Sequence, residues 1–229
     1  MKKTAVILLS GGLDSTTCVA IAKAQGFDPY GLTINYGQKH IFEIKSAKSI
    51  ANYYNIKNHS IIDINLAHFG GSALTSNNIK VPKNRNISNI NDIPSTYVPA
   101  RNTVFLSIAL ARAETANSFD IFIGVNALDY SGYPDCRPEY ITAFEQTANL
   151  ATKAGVSGKS FKIHTPLINM TKADIIKKGI ELNVDYGTTC SCYDPFKNGS
   201  PCGHCDACLL RLKGFKEAFI NDPLKYPDK

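Results

Sequence analysis

Residues 4–15 read TAVILLSGGLDS, and the fold turns on how these residues are read. The first six are apolar and partly β-branched without alternation, as in a strand buried on both faces. Ser10-Gly11-Gly12-Leu13-Asp14-Ser15 follows. Residues 16–25 then carry helix-compatible apolar positions, with Gly26 placed as a stop. A strand that turns through small residues into a helix N-terminus makes an anion site. Glycines admit the backbone close to a phosphate, and unpaired amides together with the helix dipole attract negative charge. The segment is not a Walker A loop, because no Gly-Lys-Ser/Thr follows at the required spacing. Nor is it a Gly-x-Gly-x-x-Gly dinucleotide fingerprint. A bare Gly-Gly is also compatible with an ordinary tight turn capped by Asp14.

Outward from this stretch, strand and helix patterns alternate. Residues 31–36, 60–66, 120–125 and 160–165 read as strands, and 40–54, 102–116, 138–153 and 171–183 as helices. Pro138 stands at the first position of its helix. The alternation predicts an α/β fold, a doubly wound and mostly parallel sheet with helices on both faces. Two stretches break it. Residues 70–96 are polar, carry six asparagines and show no period, as in functional lids or disordered loops, and a lid is expected because the stretch ends beside the charged segment 97–102. The second break, around 188–208, holds most of the cysteines. The expected organisation is an anion-binding α/β domain over 1–187 and a metal-binding C-terminal segment with a helix over 188–229.

The 229 residues are ample for a sizeable core, and 44% apolar with 19% charged content is that of a globular chain. The longest apolar run near the start is far too short to span a bilayer and lacks a signal-peptide cleavage pattern, so a cytoplasmic location and no membrane association are expected. In that compartment thiols stay reduced, and seven cysteines point to metal or catalysis before disulfides. The net charge of +6 permits an anionic partner, but no basic stripe interleaved with aromatics marks a nucleic-acid surface, and no stable nucleic-acid partner is expected.

Cys192, Cys202, Cys205 and Cys208 are spaced C-x9-C-x2-C-x2-C. Four thiolates so placed suit tetrahedral Zn2+, and a site closed by four ligands is structural. An iron–sulfur cluster is the main rival. Cys190 competes with Cys192 as a ligand. Cys18 reads as a buried helix thiol, Cys136 as a loop thiol, and His204 as a residue beside the metal site.

The remaining polar constellations fall at strand ends and helix starts, where open α/β sheets bind ligands. Tyr36-Gly37-Gln38-Lys39-His40 follows the second strand. Val98-Pro99-Ala100-Arg101-Asn102 leads into a helix and offers Arg101 to phosphates. Residues 124–140, GVNALDYSGYPDCRPEY, gather Asp129, Asp135 and Glu139 with Arg137, Tyr130 and Tyr133. A carboxylate there can accept from the ring N–H and exocyclic amine of a guanine-like base, and a tyrosine can stack on it. A polar turn before a helix N-terminus explains Glu139 equally well. Lys172 opens a late helix, where it either neutralises a leaving pyrophosphate or stands on the helix surface.

Ser10–Ser15 resembles the Ser-Gly-Gly-x-Asp-Ser signature of the pyrophosphatase-loop (PP-loop) enzymes, which cleave ATP between the α and β phosphates. With YGQKH, VPARN, the 124–140 run, the TPL–MTKADI segment and SCY…CGHCDACLLR, the chain from about 4 to 215 is similar to the 7-cyano-7-deazaguanine synthase family of queuosine precursor biosynthesis. The resemblance implies an adenine nucleotide alpha hydrolase-like fold with a zinc-bound C-terminal segment. It also implies an ATP-dependent ligase acting on 7-carboxy-7-deazaguanine and ammonia, and a homodimer. Its nucleotide contacts fall on Leu8, Leu9, Ser10, Gly11, Gly12, Leu13, Asp14, Ser15, Gln38 and Arg101. Asp14, Arg101 and Lys172 are the expected catalytic residues, with Mg2+ accompanying ATP. The base would be held by Asp129, Tyr130, Tyr133, Asp135, Arg137 and Glu139. The family's zinc ligands fall on Cys192, Cys202, Cys205 and Cys208, with Cys190 additional to the pattern. Two alternatives stay open from sequence: a PP-loop tRNA thiolation enzyme and a zinc-containing nucleic-acid-binding module.

Overall fold

The apolar run at the start of the chain becomes the central strand. The computed structural model describes residues 3–87, 93–128 and 133–227. In it β1 (Thr4–Leu8) buries Ala5, Val6 and Ile7 completely. Val6 and Leu8 face one apolar layer, Ala5 and Ile7 the other, which is why this stretch shows no polar alternation. After β1 come α1 (Leu13–Ala24), β2 (Asp28–Asn35), α2 (Phe42–Tyr53), β3 (Asn58–Asp63), α3 (Arg101–Thr115) and β4 (Asp120–Phe122). They are followed by α4 (Pro138–Ala151), the short α5 (Lys153–Val156), β5 (Lys162–His164), α6 (Lys172–Glu181) and α7 (Asp206–Ala218). The strands lie in the order β3-β2-β1-β4-β5 and every pairing is parallel. Helices α1, α2, α6 and α7 fill one layer, α3 and α4 the other. This is the doubly wound α/β sheet expected from the alternation.

The chain winds outward from β1 through β2 to β3, then crosses back to place β4 on the other side of β1. The strand order therefore reverses between β1 and β4, and a crevice opens beyond their carboxyl ends, the usual ligand position in such sheets. The fourth strand is shorter than the 120–125 expected. Its ladder to β5 ends at Phe122, and at Gly124 the backbone passes so close to α1 that a Cβ would lie 3.1 Å from the Asp14 carbonyl.

Residues 188–227 contribute to both layers: the four clustered cysteines join the α3–α4 side, while Phe215 and Ala218 join the other. Tyr186, almost fully buried, shares a 2.7 Å hydrogen bond with Thr17 and donates to the Ile175 carbonyl at 3.0 Å, so it ties α1 to α6. The 70–96 segment has no period because its buried residues, Ala73, Leu74 and Val81, plug gaps in the core instead of lining one face. Its described parts are fastened: Ala73 N–H donates to Ser95 O at 2.7 Å and Asn84 N–H to His204 O at 2.8 Å. Among the described residues no helix is long and apolar enough to cross a membrane.

Replacing Tyr186 by Phe leaves a buried carbonyl and the Thr17 hydroxyl short of a partner, and should lower unfolding stability by about 1–3 kcal/mol in urea titration. Unchanged stability would mean that the α1–α6 tie carries no load.

Candidate functional site

Gly11 sets the shape of the loop after β1. Its φ of +86° lies in the left-handed region. A Cβ there would collide with the Glu43 carbonyl and come within 2.6 Å of the Ala47 nitrogen, so α2 presses on the loop from behind. A second clamp comes from the far end of the chain. Cys190 N–H donates to Gly11 O at 2.9 Å, and Leu13 N–H to Ser191 Oγ at 3.2 Å. Inside the loop Ser10 Oγ–H donates to Ser15 Oγ at 3.0 Å. Gly12 caps α1 without a side-chain acceptor, and the Asp14 and Ser15 amides meet no acceptor among the described residues. These amides and the α1 dipole form an anion cradle at the mouth of the crevice.

Asp14 is held by Lys172, whose Nζ lies 2.7 and 2.9 Å from its two carboxylate oxygens. Lys172 is buried at the first position of α6, where a capping box between Thr171 and Asp174 fixes the helix start. α7 presses on the lysine stem at Gly214, where a Cβ would fall 2.8 Å from Lys172 Cβ. Lys172 is therefore no surface lysine, because its charge is aimed at the N-terminus of α1.

These groups open into a cavity of about 210 Å³. Its wall includes Leu8, Leu9, Ser10, Gly12, Leu13, Asp14 and Ser15 with Gln38, Arg101 and Lys172. Of the expected nucleotide set only Gly11 is turned away, toward α2. Gln38 also folds back to accept the Tyr36 N–H at 2.8 Å. Arg101 begins α3 after Ala100, which takes a left-handed conformation. Its guanidinium rests 5.8 Å from the ring centres of both Tyr36 and Phe105. Among the described residues no carboxylate pairs with it, which leaves the charge for an anionic ligand.

The residues expected to hold the base divide. Tyr133 is buried on the cavity wall, its hydroxyl 3.0 Å from Thr96 Oγ1. Asp135 is buried too, but its carboxylate accepts the Asn102 N–H at 3.0 Å and so caps α3 away from the wall. Arg137 and Glu139 are exposed at the start of α4, where Glu139 meets the helix dipole. Asp129 and Tyr130 lie outside the described residues.

Cys192, Cys202, Cys205 and Cys208 are buried, and their sulfurs all lie within 4.8 Å of one another. Cys192 and Cys205 are 3.9 Å apart, close to the ~3.8 Å edge of a tetrahedron with Zn–S bonds of about 2.3 Å. The N–H groups of Tyr193, Asp194, Cys202, His204 and Cys205 point at these sulfurs at 3.2–3.4 Å and so favour thiolates. Hydrogen bonds from Cys192 and then Cys208 draw the Cys205 thiol well below the ordinary range. The donor set thus fits a closed four-coordinate metal. Cys190 is not part of it. That thiol lines the cavity, and burial first, then Glu43, push it up to about 12, so it is neutral. Around the cluster Lys83 pairs with Asp194 at 2.7 Å, Arg85 with Asp206 at 2.9 Å, and Asn84 Oδ1 meets His204 Nδ1 at 3.0 Å. Residues 83–85 thus strap the middle of the expected lid onto the cysteine segment.

Three groups at the site escaped the sequence reading. Ser191 and Arg211 act through the fold: buried Arg211 holds Asp222, Thr189 Oγ1 and Tyr186 O, and thereby fixes the segment that clamps the loop. Glu43 faces the cavity from the first turn of α2, and burial raises its carboxyl to about 7 against the opposing pull of Arg101. In sequence it is one acid at a helix start, and nothing in the spacing brings it near residues 10–15.

Two cysteine variants separate the roles. Cys205→Ser should lose bound metal and soluble yield together, whereas Cys190→Ser should keep a full metal complement, both read by elemental analysis of purified protein. A folded, metal-free Cys205→Ser protein would make the cluster dispensable.

The comparisons agree with the geometry. The family model for "Queuosine biosynthesis protein QueC" matches residues 4–219. The chain is similar to the 7-cyano-7-deazaguanine synthase of Citrifermentans bemidjiense, at 62% identity over 226 residues covering 99% of both chains. It is 63% identical to that of Geotalea uraniireducens over 227 residues, 99% of this chain and 98% of the relative. Among solved structures it is similar in fold to a predicted subunit of tRNA methyltransferase from Methanocaldococcus jannaschii. There the TM-score is 0.50 at 18% identity, over 78% of this chain and 75% of that one. A parallel sheet with the loop at its switch point, a buried four-cysteine cluster and a family match along nearly the whole chain lead to one conclusion: the chain belongs to the QueC family of queuosine biosynthesis enzymes.

Proposed function

We propose that this enzyme is an ATP-dependent ligase that converts 7-carboxy-7-deazaguanine and ammonia to 7-cyano-7-deazaguanine, releasing AMP and pyrophosphate. The observation that carries the reading is identity above 60% along 99% of the chain to proteins named 7-cyano-7-deazaguanine synthase. The crevice supports it, because it offers an anion cradle, the cations Lys172, Arg101 and Arg211, and an aromatic wall around one cavity.

A carboxylate is a poor electrophile with a poor leaving group, and adenylation remedies both. A carboxylate oxygen attacks the α-phosphorus, the new O–P bond forms, and pyrophosphate leaves with the electrons of the broken bond. The free amides of Asp14 and Ser15 and the Ser10 and Ser15 hydroxyls hold the pyrophosphate portion. Lys172, already at the α1 N-terminus, stands where charge accumulates on the leaving group, and Arg101 reaches the same phosphates from the α3 side. The Mg2+ that accompanies ATP would supply further positive charge there, with Asp14 as its candidate ligand. Ammonia then attacks the acyl carbon and AMP departs, which gives the amide. A second adenylation, on the amide oxygen, lets that oxygen leave as AMP while nitrogen gives up its two protons to form the nitrile. Tyr133 stacks on or flanks the base, and Asp129 with Tyr130 are proposed as its further contacts. Zn2+ is the metal we assign to the cysteines, where it closes the C-terminal segment and takes no part in the reaction.

Asp14→Ala or Ser15→Ala should reduce pyrophosphate release by roughly 100-fold or more, with fold and metal content unchanged. Turnover like the wild type in either variant would remove the loop from the reaction. For the activity itself, incubation with ATP, Mg2+, ammonia and the carboxylate should give the nitrile and AMP by mass spectrometry, and the absence of both would refute the assignment.

A further inference from the structure

The proposed cavity receives ATP and a carboxylated base, both anions, yet among the described residues its wall carries two acids. Asp14 is accounted for by Lys172. Glu43 is not: it lines the cavity, and no described residue gives its carboxylate a hydrogen bond or an ion pair. Its backbone is fixed, because the Glu43 carbonyl abuts Gly11 at the turn of the phosphate loop. The charged and titratable groups around it are Arg101 at the start of α3, Tyr36 after β2 and Cys190 in the clamp segment, with Asp14, Lys172, Arg211, Tyr133, Tyr193 and Cys136 along the same cavity. No histidine stands in this set, and its other bases are engaged or weak: Asp14 is paired with Lys172, burial pushes the thiols of Cys190 and Cys136 and the phenols of Tyr36 and Tyr133 upward, and the cations cannot accept a proton.

An unpaired carboxylate beside a phosphate site repels both anionic substrates, so its partner is a cation. The one small cation that the proposed reaction consumes is ammonium, the dominant form of ammonia at neutral pH and unreactive until it loses a proton. We propose that Glu43 binds ammonium in the cavity and removes its proton, which releases the ammonia that attacks the adenylated carboxyl. The step balances as follows. One N–H bond breaks and its proton moves to the Glu43 carboxylate. The nitrogen lone pair forms the C–N bond, and the C–O bond to AMP breaks with its electrons leaving on AMP. The second proton shed by nitrogen passes to solvent at the cavity mouth, and Glu43 returns its own by the same route. Partial burial suits the carboxylate to this task, because a base that titrates near neutrality meets a smaller uphill step than an ordinary glutamate. The inference rests on the ligase reading above, and its test keeps the two apart.

The test uses Glu43→Gln, close in shape, with Glu43→Asp as a second variant, in the full-length metal-bound enzyme. Adenylation is read without ammonia as ATP–pyrophosphate exchange dependent on the carboxylate substrate. Hydroxylamine, already neutral near pH 7, serves as a nucleophile that needs no base. In Glu43→Gln, exchange and hydroxamate formation should stay near wild-type level while amide and nitrile formation from ammonium falls about 100-fold or more, and Glu43→Asp should recover part of that loss. Against total ammonia, wild-type kcat/KM should rise with pH and level off above about pH 7, where the carboxylate is ionised. In Glu43→Gln it should keep rising, because only free ammonia reacts. Equal loss of exchange, hydroxamate and amide formation, or recovery by added Mg2+, would overturn the proposal in favour of a nucleotide or metal role. Unaltered ammonium use would overturn it outright. Failure of the wild-type enzyme to catalyse exchange would instead refute the ligase reading.

Discussion

The short clasp between Gly11–Leu13 and Cys190–Ser191 is the constraint on which the rest of the site depends. Two hydrogen bonds, from Cys190 N–H to Gly11 O and from Leu13 N–H to Ser191 Oγ, join segments at opposite ends of the chain. On one side of the clasp lies the helix whose free amides make the anion cradle. On the other, two residues on, stands Cys192, the first member of the buried cysteine cluster. Arg211 and the strap at 83–85 brace the same segment from α7 and from the 70–96 stretch. The cysteine cluster and the loop after β1 are thus neighbours in one wall, and a metal bound there would stabilise the loop's backing without touching a substrate.

Charge around the crevice follows the same economy of position. Lys172 and Arg101 come from the starts of α6 and α3, where capping and packing, not chance, fix their stems. Lys172 is held against Asp14, so the cradle carries a poised cation close to its open amides. Arg101 lies beside two packed aromatic rings, Tyr36 and Phe105, which leave its charge available. Such preorganisation matters for a reaction whose chemistry resides in ATP and whose protein has chiefly to position groups and stabilise charge.

Much of this was legible in the sequence, and the limits have physical causes. A buried strand, a small-residue turn and a helix start are local, so residues 4–25 could be read directly. The four-cysteine cluster was legible for the same reason, since close pairs on tight turns have a characteristic spacing. That spacing did not decide between Cys190 and Cys192. The decision came from the clasp, which turns Cys190 into the cavity. The Asp14–Lys172 pair spans 158 residues and depends on where α6 docks. Asp135 shows a second, long-range use that a polar loop does not announce: its carboxylate accepts the Asn102 amide at the start of α3. The unpatterned 70–96 stretch read as a lid because irregular packing into gaps leaves no period, and its described residues are pinned to the core and the cysteine segment.

Activation of the substrate carboxylate by adenylation at this loop is the core of the proposed reaction. It is tested most directly by preparing 7-carboxy-7-deazaguanine with 18O in both carboxylate oxygens and following the label by mass spectrometry through complete conversion to nitrile. Transfer of both oxygens to AMP, one into each of two molecules of AMP, is the predicted result, with none in pyrophosphate. Unlabelled AMP, or label in inorganic phosphate accompanied by ADP, would contradict it.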